Sequence, residues 1–475
     1  MERKIAWEAY SADQLEELES LSARYIDFIS DNKTERQCFA SSVAQAEAAG
    51  YVPLGKVVQE NGSLVPGDKV WAGIHGKTLV LVHIGEEPLE QGLNILGAHI
   101  DSPRLDLKQN PLYESDGFAY LDTHYYGGIK HYQWVTLPLA LHGVVAKTDG
   151  SVVDINIGDD AGDPVFCVTD LLPHLGSKQM SKKGSEVVEG ESLDILMGNR
   201  PLVVNAAEDA SADGSEKEAA PKDKVKAFAL ELLEEKYGIT EEDFLSAEIE
   251  VVPAGRAREL GFDRSMVIGY GQDDRVCAYT SLEAQLALDE TPRTTAVTVL
   301  VDKEEIGSVG ATGMASLFFE NTIAEILGCM GAQGDLPLRR TLAASRMLSS
   351  DVSAAYDPAY ASVYETKNAA YAGKGLVFNK YTGARGKSGS NDARAEYMAY
   401  IRRVMDDAGV AFQTAELGRV DAGGGGTIAY IPAKYGMDVI DSGVAVLSMH
   451  SPWEVTSKAD IYEAYRGHVA FLKAC

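Results

Sequence analysis

The chain has 475 residues, of which 45% are hydrophobic and 24% are charged, and its formal net charge is −28 at pH 7. This length exceeds the usual size of one hydrophobic core, so we expect two domains, one inserted into the other. The negative charge repels phosphate backbones and anionic lipid surfaces, which argues against nucleic acid and membranes as partners.

Cysteine usage points to a reducing compartment. The five cysteines are scattered and none has CxxC spacing, so neither a disulfide framework nor a thiolate zinc site is expected. The first twenty residues are charged and lack the apolar centre of a signal peptide, and no stretch approaches eighteen uninterrupted apolar residues. The sequence therefore predicts a cytoplasmic protein.

The first predicted elements are two helices between residues 11 and 50. Ser11 with Gln14, and Thr34 with Gln37, both match the capping-box pattern that begins a helix. Gly50 is a suitable residue to end the second helix.

Further along the chain, short apolar runs end in polar residues capable of chemistry: LNILGAHID, TAVTVLVDKEE, RMLSSD and VAVLSMHS. Helical stretches separate these runs, which predicts an α/β fold with a mixed, mostly parallel sheet sandwiched by helices. Ligands of such sheets bind beyond the carboxyl ends of the strands. The residues expected at that edge are His99, Glu304, Glu305, Asp351 and His450.

Between 106 and 254 the sequence becomes rich in Gly, Tyr and Val, with the alternation typical of strands. We predict that this segment is a β-rich insert in a larger domain formed by 1–105 and 255–475. Within the insert, 206–224 is rich in Ala, Asp, Glu, Lys and Ser, and its composition predicts a mobile surface loop.

A hydrolase with two metal ions needs imidazole and carboxylate ligands and a free base that deprotonates water. Alternate residues of a strand share a face, so His99 can bind a metal while Asp101 orients its ring. Glu304 and Glu305 point in opposite directions on an extended segment, which assigns Glu305 as a ligand and Glu304 as the general base. Asp273 and Asp274 open a predicted helix, where an acid serves either as a ligand or as an N-terminal cap.

The ordered motifs GAHIDSP, QDDR, DKEEIGS, SSDVSAAYDP and MHSPWE resemble those of the M18 (aspartyl aminopeptidase) family of dinuclear zinc aminopeptidases. The resemblance covers nearly the whole chain. It implies two divalent ions per subunit, with zinc expected and cobalt or manganese as alternatives. It also implies that Asp273 bridges them, although a one-residue slip would select Asp274. The implied ligand sets are His99, Asp273 and Asp351 for one ion, and Asp273, Glu305 and His450 for the other.

The resemblance also implies peptide substrates with a free N-terminus. Substrate contacts would come from His174, reaching a neighbouring subunit, and from Lys380 and Gly425. The inserted domain would form dimers that assemble into a tetrahedral dodecamer. Lys380, Arg385 and Lys387 could favour acidic N-terminal residues or could equally be solvated charges. The motif around Lys380 departs from the family pattern, so this preference stays an open expectation.

Two other functions remain open on the sequence. A dinuclear amidase or deacylase would use the same metals but would grip a different end of the substrate. A non-catalytic oligomeric scaffold could retain the fold, although it would gain nothing from a second glutamate beside a metal ligand.

Overall fold

The computed structural model describes residues 5–203, 221–383 and 386–474. Residues 206–220 of the predicted loop lie outside these ranges. The chain forms two compact units, one from Met1–Ser102 and Arg256–Cys475, the other from Pro103–Gly255. Each unit is built around its own sheet or sheets.

Helices and strands are numbered here in chain order. The helices are α1 (Ala12–Asp31), α2 (Glu35–Ala48), α3 (Leu54–Gln59), α4 (Ser177–Met180), α5 (Lys224–Tyr237), α6 (Gln272–Leu286), α7 (Phe318–Cys329), α8 (Leu336–Ala344), α9 (Ala395–Asp407), α10 (Tyr430–Ala433) and α11 (Lys458–Lys473). The strands are β1 (Val52–Pro53), β2 (Lys69–Ile74), β3 (Thr78–His83), β4 (Asn94–His99), β5 (Arg104–Ser115), β6 (Phe118–Tyr126), β7 (Leu139–Ala146), β8 (Val152–Ile157), β9 (Ile195–Gly198), β10 (Ala247–Pro253), β11 (Arg258–Leu260), β12 (Met266–Gly269), β13 (Ala296–Val301), β14 (Arg346–Ser350), β15 (Ser353–Ala354), β16 (Leu376–Asn379), β17 (Phe412–Thr414), β18 (Asp438–Gly443), β19 (Ala445–Leu447) and β20 (Glu454–Ser457).

The first unit contains a nine-stranded sheet with the order β1-β2-β3-β13-β4-β14-β18-β16-β17. Its central strands β13, β4, β14 and β18 pair in parallel, so their carboxyl ends meet at one edge. Antiparallel pairs join β2 to β3, β3 to β13 and β16 to β18. The predicted mixed, mostly parallel sheet is confirmed.

Side chains at alternate positions of the central strands lie in two hydrophobic cores. In β4, Leu96 belongs to a core with residues of α1, α6 and α11, whereas its neighbour Ile95 belongs to a core with residues of α7 and α8. Both side chains are fully buried, and burying a side chain of this size stabilises the fold by about 1.5–3 kcal/mol. Helices therefore cover both faces, and the strand ends are left to form the site.

The predicted helices between 11 and 50 are confirmed as α1 and α2. In both helices the N-cap hydroxyl, from Ser11 or Thr34, accepts a hydrogen bond from the backbone N–H three residues later. The side chain of the glutamine at that position accepts the backbone N–H of the N-cap residue. These reciprocal bonds satisfy N–H groups that the first turn of a helix otherwise leaves unpaired.

A second sheet of the first unit, with the order β11-β12-β20-β19-β15, holds one segment of the site in place. The antiparallel strands β19 and β20 are joined by a loop over 448–453 that contains His450. Glu454 begins β20 and pairs with Gly269 at the end of β12, shortly before α6. The His450 loop and the first turn of α6 are thereby joined through one sheet.

The second unit is built on a six-stranded antiparallel sheet with the order β8-β7-β10-β5-β6-β9. Arg104 on β5 lies 3.1 Å from Glu250 on β10, and its guanidinium stacks 3.9 Å from the ring centre of Tyr126 on β6. Among the helices described in the structure, none is both long and apolar enough to cross a membrane.

Candidate metal centre

The predicted site residues come from strand ends and from two neighbouring segments. His99 ends β4, and Asp351 directly follows β14. Glu304 and Glu305 lie in a short 3-10 turn, Glu304–Ile306, just beyond β13, so the extended segment expected at these residues is wrong. Because these strands are parallel neighbours, their ends place the side chains together, while Asp273 from the first turn of α6 and His450 from the β19–β20 loop complete the group.

Asp273 lies between the two imidazole rings. Its Oδ1 is 3.2 Å from Nε2 of His99, and its Oδ2 is 3.1 Å from Nε2 of His450. Nε2 of His99 also lies 4.0 Å from Oδ1 of Asp351, and Nε2 of His450 lies 3.7 Å from Oε2 of Glu305. Each oxygen of Asp273 thus faces a different histidine, as the bridging position requires.

Two groups of side chains could each hold a metal ion, because the potential ligand atoms within each group lie within 4.8 Å of one another. One group is His99, Asp273 and Glu305, and the other is His99, Glu304 and Asp351. The buried Oε1 of Glu305 has no hydrogen-bond partner among the described residues. Imidazole nitrogen and carboxylate oxygen are the ligands that zinc prefers in catalytic sites. The residues therefore fit divalent metal ions, and Glu304, expected as the base, also lies close enough to act as a ligand.

The electrostatics of the group favour a cation. Burial, followed by repulsion from neighbouring carboxylates, raises the pKa of Glu305 and of Asp351 well above the ordinary range and also raises that of Glu304. Burial alone would raise the pKa of Asp273 too, but hydrogen bonds from His450 and His99 lower it. Crowded, buried carboxylates resist ionisation unless positive charge is near, and a divalent ion supplies that charge.

Asp101, predicted to orient His99, is fully buried and contacts both His99 and the turn of the two glutamates. Nδ1 of His99 lies 3.3 Å from its Oδ1 and 3.0 Å from its carbonyl oxygen. The same carboxylate accepts the backbone N–H groups of Glu304 at 3.1 Å and of Glu305 at 3.2 Å. Asp101 thus links the end of β4 to the turn that carries both glutamates.

Glu454 occupies the matching place on the other side and was not predicted from the sequence. It is 1% exposed. Its Oε2 accepts the backbone N–H of Asp273 at 3.0 Å, and its Oε1 accepts the backbone N–H of His450 at 2.7 Å. Burial, and then repulsion from the carboxylate of Asp273, raise the pKa of Glu454 to about 8. The only hint in the sequence was its position within MHSPWE, where an acid before a strand usually faces solvent.

Asp274, the alternative bridge, contacts the backbone of His99. Its Oδ2 accepts the backbone N–H of His99 at 3.3 Å, and the peptide bond that joins it to Asp273 is cis. Burial raises the pKa of Asp274 well above its ordinary value. The geometry therefore favours Asp273 as the bridge.

The predicted cationic residues near the substrate are paired with an acid. Lys380 and Lys387 both bond the carboxylate of Asp392, Lys387 at 2.9 Å, and all three side chains are nearly half exposed. Asn379, just before Lys380, donates to Oγ of Ser353 at 2.9 Å, which ties this segment to the chain that follows Asp351. Arg385 lies outside the described residues.

The other two predicted substrate contacts lie on loops. Gly425 lies in the glycine-rich loop, residues 423–426. Its carbonyl accepts the backbone N–H of Gly383 at 2.7 Å, so this loop is bonded to the segment that follows Lys380. Thr427 anchors the glycine-rich loop by donating to the buried carboxylate of Asp441. His174 is exposed on a turn of the second unit.

Comparison with known proteins identifies the family of the chain. Residues 28–472 match the family model described as aminopeptidase I zinc metalloprotease (M18). A probable M18 family aminopeptidase 1 of Clostridium acetobutylicum is 58% identical over 471 residues, which cover 99% of this chain and 98% of that one.

Solved structures give the same result. The crystal structure of an M18 family aminopeptidase from Thermotoga maritima superposes with a TM-score of 0.91 at 44% identity, over 100% of this chain and 99% of that one. The S. cerevisiae mApe1 dodecamer has a TM-score of 0.75 at 19% identity, over 95% of this chain and 96% of that one, and it shows the shared fold alone. With histidine and carboxylate ligands gathered at the sheet edge and a family match along almost its entire length, this chain belongs to the M18 family of metal-dependent aminopeptidases.

Proposed function

We propose that the chain is a dinuclear-metal aminopeptidase that hydrolyses the first peptide bond of substrates with a free N-terminus. The observation that carries this proposal is the position of Asp273, whose two oxygens lie 3.2 and 3.1 Å from the imidazoles of His99 and His450. His99, Asp273 and Asp351 would hold one ion, and Asp273, Glu305 and His450 the other. Zinc is the metal that the family description names, and cobalt or manganese are alternatives.

When bound, the ions acidify water and polarise the scissile carbonyl. The chain's own part is proton transfer and positioning. Glu304 accepts a proton from the attacking water and passes it to the leaving amine. Burial raises the pKa of Glu304, and a more basic carboxylate is a better proton acceptor. Asp101 holds the backbone of Glu304 and the ring of His99 in place.

Replacing the base tests this mechanism. Glu304→Gln should lower kcat by about 10²- to 10⁴-fold, which is the usual contribution of a general base, while two ions per chain remain bound. Glu305→Gln is the matched control, because it changes the adjacent residue in the same way and should lower metal occupancy instead. Activity of Glu304→Gln near that of the wild type would assign the base to another group, and loss of metal from that variant would make Glu304 a ligand.

Blocked substrates distinguish the aminopeptidase from an amidase or deacylase. We expect cleavage of peptides with a free N-terminal amine and at least a 100-fold lower rate on their N-acetylated counterparts. A site that binds a polar group of its substrate rejects an analogue without that group, because its own polar groups are then left unpaired. Equal cleavage of both would contradict the aminopeptidase proposal. A protein inert toward a panel of aminoacyl substrates after addition of zinc, cobalt and manganese would favour a scaffold.

For specificity, we propose a modest preference for acidic N-terminal residues. Lys380 and Lys387 supply positive charge, but Asp392 neutralises part of it. The ratio of kcat/KM for N-terminal Asp or Glu to that for Leu measures the preference. A ratio below one would show that these lysines do not set it.

We also propose that the chain is a cytoplasmic homo-oligomer. The segment 106–254 would form dimers, and the dimers would assemble into a tetrahedral dodecamer. His174 would then reach the active site of a neighbouring subunit. The four cysteines in the described residues are free thiols, as a reducing compartment requires. Light scattering after size exclusion measures the mass. A monomer with full activity, or wild-type activity in His174→Ala, would contradict the corresponding part of this proposal.

A further inference from the structure

Glu454 contacts the site only through the main chain. Its two carboxylate oxygens accept the backbone N–H groups of Asp273 and His450, at 3.0 and 2.7 Å. Those two residues lie 177 positions apart in the chain, and their side chains meet at 3.1 Å. One buried carboxylate therefore holds both backbones from which this pair of side chains extends.

The main chain of Glu454 strengthens the same connection. Its carbonyl oxygen accepts the side-chain amide of Gln272 at 2.6 Å, and its backbone pairs with Gly269. Gln272, directly before Asp273, is in turn bonded by the hydroxyl of Tyr25 at 3.2 Å. The start of α6 and the beginning of β20 are thus locked together by side-chain and main-chain bonds at one residue.

We propose that Glu454 is a positioning residue that sets the affinity of the metal ion shared by Asp273 and His450. The inference rests on the proposed dinuclear centre. Asp101 plays the equivalent part for the turn of Glu304 and Glu305, so each side of the centre is held by a buried carboxylate that is not itself a ligand. Residues that orient metal ligands typically contribute 10- to 100-fold to metal affinity.

Glu454→Gln tests the proposal because it keeps the size of the side chain. A glutamine has one acceptor oxygen, and its NH₂ group would face the second backbone N–H donor to donor. One of the two bonds is therefore lost, and the Asp273–His450 pair is held less firmly. We expect one of two zinc equivalents to bind 10- to 100-fold more weakly, measured by titrating metal-free protein with zinc against a chromophoric chelator.

Asp460→Asn is the matched control. Asp460 is equally buried and accepts two backbone N–H groups, those of Gly373 at 2.8 Å and Gly375 at 2.7 Å, but neither partner belongs to the site. The Asp460→Asn variant should lower the melting temperature as Glu454→Gln does, while its zinc affinity stays within threefold of the wild type. A merely structural role for Glu454 would make the two variants behave alike.

The outcomes separate the two proposals. Wild-type protein that binds fewer than two zinc ions would overturn the dinuclear centre itself. Wild-type protein that binds two, with unchanged affinities in Glu454→Gln, would overturn the role of Glu454 alone. If the glutamine variant does not fold, Glu454→Asp decides by the same titration, since the shorter acid cannot reach both N–H groups, and unchanged affinities there would again refute the role.

Discussion

Gly443 offers a test of the site that touches no ligand side chain. It ends β18 beside Asp351, whose backbone N–H donates to the carbonyl of Ser442 at 2.8 Å. A Cβ at position 443 would lie 1.9 Å from the carbonyl oxygen of Asp351 and 2.6 Å from its carbonyl carbon. Gly443 has no positive φ, so alanine suits the local backbone and the conflict is purely steric.

The required displacement gives the expected magnitude. Real Cβ contacts are essentially never below 3.0 Å, so Gly443→Ala must move β18 and Asp351 apart by about 1 Å. A misplacement of this size in a catalytic site costs about 10²-fold in rate, and overpacking costs about 1–3 kcal/mol in stability. We therefore expect kcat/KM to fall about 100-fold.

The control is a glycine with a similar clash at the opposite end of the sheet. A Cβ on Gly85 would lie 2.5 Å from the backbone nitrogen of Thr295, just before β13 begins, whereas the glutamates follow the end of that strand. Gly85→Ala should lose similar stability but keep kcat/KM within threefold, measured on folded protein with saturating zinc. Gly443→Ala with wild-type kcat/KM would refute the placement of Asp351 in the site.

Three further outcomes are expected. Removal of metal by a chelator should lower the melting temperature by at least about 5 °C, because the buried carboxylates lose their counter-charge and bound ligand stabilises the fold, and zinc should restore it in calorimetry. Asp392→Asn releases two lysines, and because exposed ion pairs contribute up to about 1 kcal/mol, it should raise the acidic-to-neutral ratio of kcat/KM by about fivefold at most. His468 is buried, which lowers its pKa to about 4 from 6.5; below pH 6.5 the unfolded chain therefore binds the proton first, and about 2 kcal/mol of stability is lost between pH 8 and 5. His468→Gln should remove this contribution, which is measured by comparing the free energy of unfolding of the two proteins at pH 8 and at pH 5.

The fold and the strand-end residues could be predicted because short-range patterns determine them. Buried parallel strands show as continuous apolar runs, and the residue after each run lies at the sheet edge whatever the exact pairing. His99 and Asp351 needed no more than this. The helices that begin at Ser11 and Thr34 were equally accessible, since a capping box spans only four residues.

Contacts between distant segments could not be predicted in the same way. Glu454 reads as an ordinary acid before a strand until the β12–β20 pairing brings it to Asp273. Lys380 pairs with Asp392, which lies twelve positions further along the chain. In both cases a charge was visible in the sequence, but its partner was determined by tertiary structure.

The proposed centre draws its ligands from segments spread between His99 and His450, and side-chain identity alone does not bring these segments together. Two buried carboxylates do part of that work, because Asp101 holds the backbone of Glu304 and Glu305, and Glu454 holds that of Asp273 and His450. Each acid bonds N–H groups, whose positions move only if the main chain moves. In the proposed centre such main-chain bonds would hold the ligands in place, and this lowers the ordering cost of metal binding. A chain that kept every proposed ligand but lost Glu454 is therefore expected to bind one of two zinc ions 10- to 100-fold more weakly.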